Sequence, residues 1–297
     1  MSGISTNRTN ITLPADVSAE ILAKTQGESA IMQLARSIAL PGRGTTIGMI
    51  TSDPEANWVV ETDKKPVSNP GVSSKTMTPY TLAVIVPFSK QFARDAQSLY
   101  DELIKRLPAA LGKKFDATVF GGTAPGTGFD VLSACTAQSI DVNASGVGGF
   151  YSAIVAADID IASGGYDLNG FAMSPQARGE MLSALDKDGR PIFVNSVAEG
   201  AIPRLIGQPV AYSKGLYTAG NTSTPKPDLI GVAGDWDQAV YGMVEGVEIT
   251  VSDQASLTIN SSIVNLWERN MFAVRAEVEL GFVADTSAFN RITRTHA

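Results

Sequence analysis

Near its carboxyl end the chain alternates without a slip. Phe272, Val274, Ala276, Val278, Leu280 and Phe282 fall on one side, and Ala273, Arg275, Glu277, Glu279 and Gly281 on the other. A period of two sends successive side chains to opposite faces, so this is a long strand whose apolar face must be covered. The other long element is helical. Ser98 suits an N-cap, Asp101 and Glu102 suit the first turn, and Leu99, Leu103, Leu107, Ala110, Phe115 and Val119 form one stripe. This spacing predicts a helix of about 20 residues, roughly 30 Å long, which Pro108 should kink or loosen.

Residues 55 to 87 read EANWVVETDKKPVSNPGVSSKTMTPYTLAVIVP. Trp58 and Val60 alternate with Asn57, Val59 and Glu61, while Tyr80, Leu82, Val84 and Val86 alternate with Thr81, Ala83 and Ile85. Two strands joined by a polar tip are predicted, because Lys64-Lys65-Pro66 and Asn69-Pro70-Gly71 cannot continue regular structure. A lone two-stranded ribbon is marginal in water. Such an arm needs support from another surface.

Residues 1 to 13 are polar and aperiodic, an arm followed by a short helix from Pro14 with Val17, Ile21 and Leu22 on one face. Ile31 to Leu40 is apolar enough to pack before Pro41-Gly42 breaks it. From 130 to 245 strands and helices alternate. A helix is expected from Tyr151 to Ile161. Phe171-Ala172-Met173 reads as a buried strand; Ser174 then caps a helix that starts at Pro175 and buries Met181, Leu182 and Leu185. Asp188-Gly189 turns the chain into a strand at Ile192-Phe193-Val194, and Thr218 to Asp228 reads as an exposed loop.

At 297 residues the chain can hold one large domain or two intertwined ones, and 44% hydrophobic with 18% charged residues is an ordinary globular composition. A net charge of -7 argues against a clamp on nucleic acid, which needs clustered lysine and arginine. The amino terminus lacks a signal-peptide plan and no apolar run reaches membrane-spanning length, so a cytoplasmic site of synthesis and no membrane partner are expected.

Chemistry is conspicuously missing from the sequence. The one histidine, His296, is next to last, which removes most histidine-dependent mechanisms. Gly126-Thr127-Gly128 and Gly146-Val147-Gly148-Gly149 lack the spacing of a phosphate-binding loop. Ser223 and Lys226 match a serine–lysine pattern, but Pro225 and Pro227 deny it the helix that spacing requires. Asp158 with Asp160, and Glu277 with Glu279, read as solvated faces. Cys135 reads as a small core residue that can form no internal disulfide. No catalytic residue, cofactor or metal site is expected. Of Trp58, Trp236 and Trp267, core placement is the ordinary expectation, and only Trp58, on the arm, points to an interface. An arm without a core in a chain without chemistry indicates a protein that assembles.

The order of these segments resembles the major capsid proteins of tailed bacteriophages, the Hong Kong 97-type fold. The resemblance rests on the arm with its following helix (ANWVVETDKKPVSNPGVSSKTMTPYTLAVIVPFSKQFARDAQSLYDELIKRL), on GYDLNGFAMSPQARGEMLSALDKDGRPIF, on LIGQPVAYS with its later GDW, and on NMFAVRAEVELGFVADTSAF. It implies an α+β fold divided into an N-arm (1–40), an extended two-stranded E-loop with its base (41–86), a P-domain with a long spine helix (87–129), an axial A-domain (130–245) and a return to the P-domain (246–297). It implies a non-enzymatic icosahedral shell around double-stranded DNA, built from this chain as hexamers and pentamers, with Trp58, Lys64, Lys65 and Lys75 at the contact between subunits. Covalent cross-linking, known in part of the family, would draw on one of those lysines. Partners would be a portal and a decoration protein. A scaffolding protein is expected to be separate, since no long charged segment precedes the N-arm. Two other readings stay open: an encapsulin-type nanocompartment shell of the same fold, and a monomeric carbohydrate- or peptide-binding module.

Overall fold

The computed structural model describes residues 25, 27–52, 54–61, 63–69, 71–95, 97–140, 149–185, 188–190, 204–220, 227–259 and 261–294. From the amino-terminal side come helix α1 (Ala30–Leu34) and strands β1 (Arg36–Ala39), β2 (Thr45–Ser52), β3 (Gly71–Met77) and β4 (Tyr80–Ser89). Helices α2 (Lys90–Asp95) and α3 (Gln97–Gly121), β5 (Thr136–Ile140), α4 (Gly149–Ser163), β6 (Gly170–Met173) and α5 (Pro175–Ser183) follow. The rest is β: β7 (Arg204–Leu205), β8 (Gln208–Tyr212), β9 (Asp228–Gly234), β10 (Ala239–Met243) and β11 (Glu248–Ser252). After these come β12 (Ser256–Ile259), β13 (Ser262–Asn265), β14 (Met271–Ala284) and β15 (Phe289–Arg294). The fold is α+β.

The alternating run is β14, and it holds the middle of a five-stranded sheet. β4 pairs antiparallel along one edge, from Met271↔Ser89 to Leu280↔Tyr80. β10 and β11 share the other edge, and β1 pairs parallel with β10. Helix α3 covers one face: Leu107, Leu111, Phe115 and Val119, four residues apart, meet Val274, Val278 and Phe282 of β14 in one core. A second sheet of six strands runs β5-β15-β9-β6-β8-β7. Helix α4 lies on it, burying Phe150, Ile154 and Ile161 against Phe171, Met173 and Ile292. Ser174 caps α5 as expected, its side chain accepting from the Ala177 amide, with Pro175 in the first turn.

Several expectations need correcting. The run 55–61 is not a strand: the arm is the ribbon β2–β3, and the other expected arm strand, β4, is an integral part of the five-stranded sheet. Local alternation shows that β4 is a strand but not which strand lies beside it. Helix α3 starts at Gln97, directly after α2, so Ser98 is already helical and Asp101 and Glu102 lie past the first turn. Ala110 is exposed and Leu111 takes its place, because a straight row of fours from Leu107 meets the sheet. Of the three residues expected to bury the α5 face only Met181 does so, while Leu182 and Leu185 are exposed. Asp228, placed in an exposed loop, is buried and paired with Arg294 at 2.8 Å. β10, within the 130–245 stretch, pairs with β14 in the five-stranded sheet. The expected helix from Pro14, the strand at 192–194, most of the loop 218–228, Ser223 with Lys226, the 146–149 glycines up to Gly148 and His296 lie outside the described residues, as do the side chains of Leu99 and Leu103.

One buried carboxylate ties the amino-terminal segment to the rest. Asp116 of α3 accepts from Ser29 Oγ at 2.6 Å and from the Ala30 amide at 2.8 Å, at the start of α1. Burial pushes its carboxyl up to about 6, against the opposing pull of those donors and of Ser213.

Candidate assembly surface

The arm has a base that the chain itself completes. Met77, the last residue of β3, is fully buried against Leu40, Val240 and Val283. It fits because Gly242 and Gly281, partners across β10 and β14, leave a gap in the sheet: a Cβ at either would lie 2.7 Å from the Met77 side chain. Two glycines in otherwise bulky strands were the sequence signal for this packing. Beside it, Lys75 Nζ donates to Asp130 Oδ2 at 2.9 Å and to the Ala284 carbonyl at 2.7 Å. The Thr78 amide donates to the Gly128 carbonyl and Tyr80 Oη to the Thr127 carbonyl, so segment 127–130 clamps the place where β3 becomes β4.

The tip is different. Between Ser52 and Gly71 the described residues form neither helix nor strand, and a Glu55 amide bond to Ser68 Oγ at 2.7 Å and an Asp63 amide bond to the Val60 carbonyl at 3.1 Å hold them. Trp58 is completely exposed, and Val60 and Val67 are 74% and 83% exposed. Lys64 and Lys65 stand in solvent beside them. Of the four residues expected at a contact, the structure therefore groups Trp58, Lys64 and Lys65 at the tip and sets Lys75 apart. Its ammonium is engaged at the base of its own chain, a placement composition could not reveal.

The other two tryptophans divide. Trp236 is core, its Nε1 donating to the Gly170 carbonyl at 3.0 Å. Trp267, expected in the core, is 67% exposed on the turn after the β12–β13 hairpin, with Lys90 Nζ 6.0 Å from its ring. Exposed together with Ile263, it was missed because one aromatic in a short turn carries no period.

On the face of the five-stranded sheet away from α3, the part beyond the Met77 packing is uncovered. Thr81, Ala83 and Ile85 of β4 are exposed there, in register with Glu279, Glu277 and Arg275. A groove of about 290 Å³ opens on it, lined by Thr81, Glu245, Glu248, Glu277 and Glu279. Arg275 pairs with Glu277 at 2.8 Å, and Thr81 Oγ1 lies 3.5 Å from Glu279.

Reactive chemistry gains no footing. Cys135 is buried, donates to the Leu132 carbonyl, and has its thiol pushed up to about 12 by burial, far from a thiolate at neutral pH. Among the described residues no group of histidine, cysteine and carboxylate side chains could hold a metal, and no helix is long and apolar enough to cross a membrane.

Known proteins place this architecture. The chain is 27% identical over 292 residues to a protein of Mycobacterium phage L5 named probable major capsid protein, with 94% of this chain and 88% of that one covered. It is 25% identical to the major capsid protein of Staphylococcus phage 80alpha, over 95% and 84% of the two chains. A solved chain from Gordonia phage Cozz shares the fold with a TM-score of 0.73 at 21% identity, over 91% of this chain and 87% of that one. The capsid of an empty GTA particle superposes with a TM-score of 0.61 at 14% identity. The phage capsid family matches residues 9–293, nearly end to end, and the chain belongs to that family.

Proposed function

We propose that this chain is the major capsid protein of a tailed bacteriophage, a structural, non-enzymatic subunit that assembles with copies of itself into the icosahedral head around a double-stranded DNA genome. The observation that carries the reading is the family match over residues 9–293, nearly the whole of the described fold. The Hong Kong 97-type plan supports it. In that plan β2–β3 is the E-loop, α3 is the spine helix of a P-domain built on the five-stranded sheet, the six-stranded sheet with α4 is the axial A-domain, and residues 1–40 include the N-arm. On this assignment β4 and β10 go with the P-domain sheet.

Hexamers and pentamers would form in the host cytoplasm, around a separate scaffolding protein and a portal, with a decoration protein added outside. The arm tip supports this reading too, since a completely exposed indole with Val60 and Val67 is what a subunit offers to a neighbour. The curated relatives carry phage capsid names, so an encapsulin shell is not favoured.

Negative-stain microscopy and sedimentation of the expressed chain, with and without the scaffolding protein from the same genome, test the reading. Closed shells are the expected result. A chain that stays monomeric under both conditions would overturn it.

A further inference from the structure

We propose that Asp116 is a proton-operated latch on the joint between the two sheets, holding the segment from Ser29 to Ala35 closed while its carboxyl carries a proton and letting that segment open when the proton leaves. The inference does not depend on the shell-protein reading above, because every group in it belongs to one chain.

Position is the first argument. Helix α1 lies against the six-stranded sheet, where Ala30, Ile31 and Met32 share a core with Ala172 of β6, Ala211 of β8 and Trp236, and β1, which follows it directly, extends the five-stranded sheet beside β10. One short segment therefore ties the two sheets together, and Asp116 fastens it. Its Oδ1 accepts from Ser29 Oγ and its Oδ2 from the Ala30 amide, and the Ile31 amide and the Ser213 hydroxyl also donate to it. Ser213 is held in turn, its amide on the Met173 carbonyl at the end of β6 and its Oγ under the Gly215 amide. The fit is close on both sides of α3: a Cβ at Gly112, one turn before Asp116, would lie 3.0 Å from the Thr25 carbonyl oxygen, and a Cβ at Gly215 would strike the Lys113 carbonyl.

Charge is the second. Asp116 and Ser29 are fully buried, and the donors to the carboxyl are neutral hydroxyls and amides. The charged side chains on the surrounding elements, Glu28 ahead of α1, Lys113 and Lys114 on α3 and Lys214 after β8, are all exposed, and Tyr217 bonds Asp228. Among the described residues Asp116 is in no ion pair. An ionised carboxylate in this place has only neutral hydrogen bonds to offset its lost water, whereas the protonated group is uncharged and can give a hydrogen bond back to Ser29 or Ser213. Opening the segment readmits water to the carboxylate. Ionisation and opening therefore favour each other.

Hydrogen exchange of the full chain, as the unassembled subunit, tests this, with each rate divided by the intrinsic exchange rate at the same pH. Opening of residues 29–35 should rise about tenfold between about pH 5 and about pH 7.5 and then level off, following a carboxyl of about 6 when closed and 3.8 when open, while α4 shows no such rise. Asp116→Asn should abolish the rise. Ser29→Ala keeps the carboxyl and removes one of its donors, so it should open the segment further at both pH values with the rise retained, which keeps the latch testable should the asparagine variant fail to fold. Opening that does not change with pH in the unmodified chain, a rise that persists in Asp116→Asn, or a segment no more open in Ser29→Ala would overturn the latch and leave the shell-protein reading untouched.

Discussion

The base and the tip of the arm belong to one ribbon, yet they obey different rules. At the base every group has a partner in its own chain: Met77 fills the gap over Gly242 and Gly281, and Lys75 has two oxygen acceptors. At the tip Trp58 and Val67 touch almost nothing. An exposed indole is unfavourable for an isolated subunit, and on the proposed reading a neighbouring copy covers it. Folding fixes where the arm starts, and assembly would fix where it ends.

The sharpest way to break this contrast is Met77→Ala. Truncating a fully buried methionine should cost the subunit about 2 to 5 kcal/mol, read as a lower denaturant midpoint before any assembly is attempted. A subunit of unchanged stability would mean that the base is not built by its own chain.

Asp116 offers a second base-like tie, between the amino-terminal segment and α3, and it can be titrated. Its folded value of about 6 lies above the ordinary 3.8, so the folded state holds the proton more tightly. Stability from this group is full below about pH 4, declines as pH rises, and levels off above about pH 6, a total of about 3 kcal/mol. Asp116→Asn should flatten that part of the stability–pH curve. An unaltered slope in the variant would assign the dependence elsewhere.

Trp58→Ala should do the reverse of Met77→Ala. The subunit should keep its circular dichroism and midpoint while shell yield in sedimentation falls severely, since an indole buried at an interface centre is worth about 2 kcal/mol or more. Normal shells, or an unfolded subunit, would place the anchor elsewhere. The smallest effects separate the lysines. Lys75→Ala should lower subunit stability by about 1 kcal/mol, and Lys65→Ala alone should change neither stability nor yield by more than about twofold. Equal behaviour of the two would erase the distinction between base and tip.

How much of this the sequence discloses follows the same division. β14, the α3 stripe from Leu107 to Val119, the strand at Phe171–Met173 and the Ser174-Pro175 start of α5 were all legible, because a period or a cap is a local signal that burial in the same chain enforces. The arm was misread where that enforcement stops. Trp58, Val59 and Val60 look like a strand because they are apolar, but what they would be buried against is not encoded in the chain around them. β2, with its weak pattern TTIGMITS, was overlooked for the converse reason: its partner lies across the tip, and Ile47 meets the Met77 cluster only at its base. In the candidate surface, Trp58, Lys64 and Lys65 were named from position and resemblance, and the structure shows them exposed together near the tip. The glutamate groove was not, because Glu245 and Glu279 meet only through the pairing of strands distant in sequence.

The place of β14 and β15 also sets a schedule for synthesis. Each is an interior strand of its sheet, β14 between β4 and the β10–β11 edge and β15 between β5 and β9, and each follows in the chain every strand it pairs with. Until they emerge, β4 and β5 lack their neighbours and neither sheet can close, so the nascent chain is held in an unfinished state. Chains truncated before Met271 should accordingly remain open to protease throughout. A polymer-forming subunit made in quantity is thereby kept from joining its fellows on the polysome until both strands have emerged.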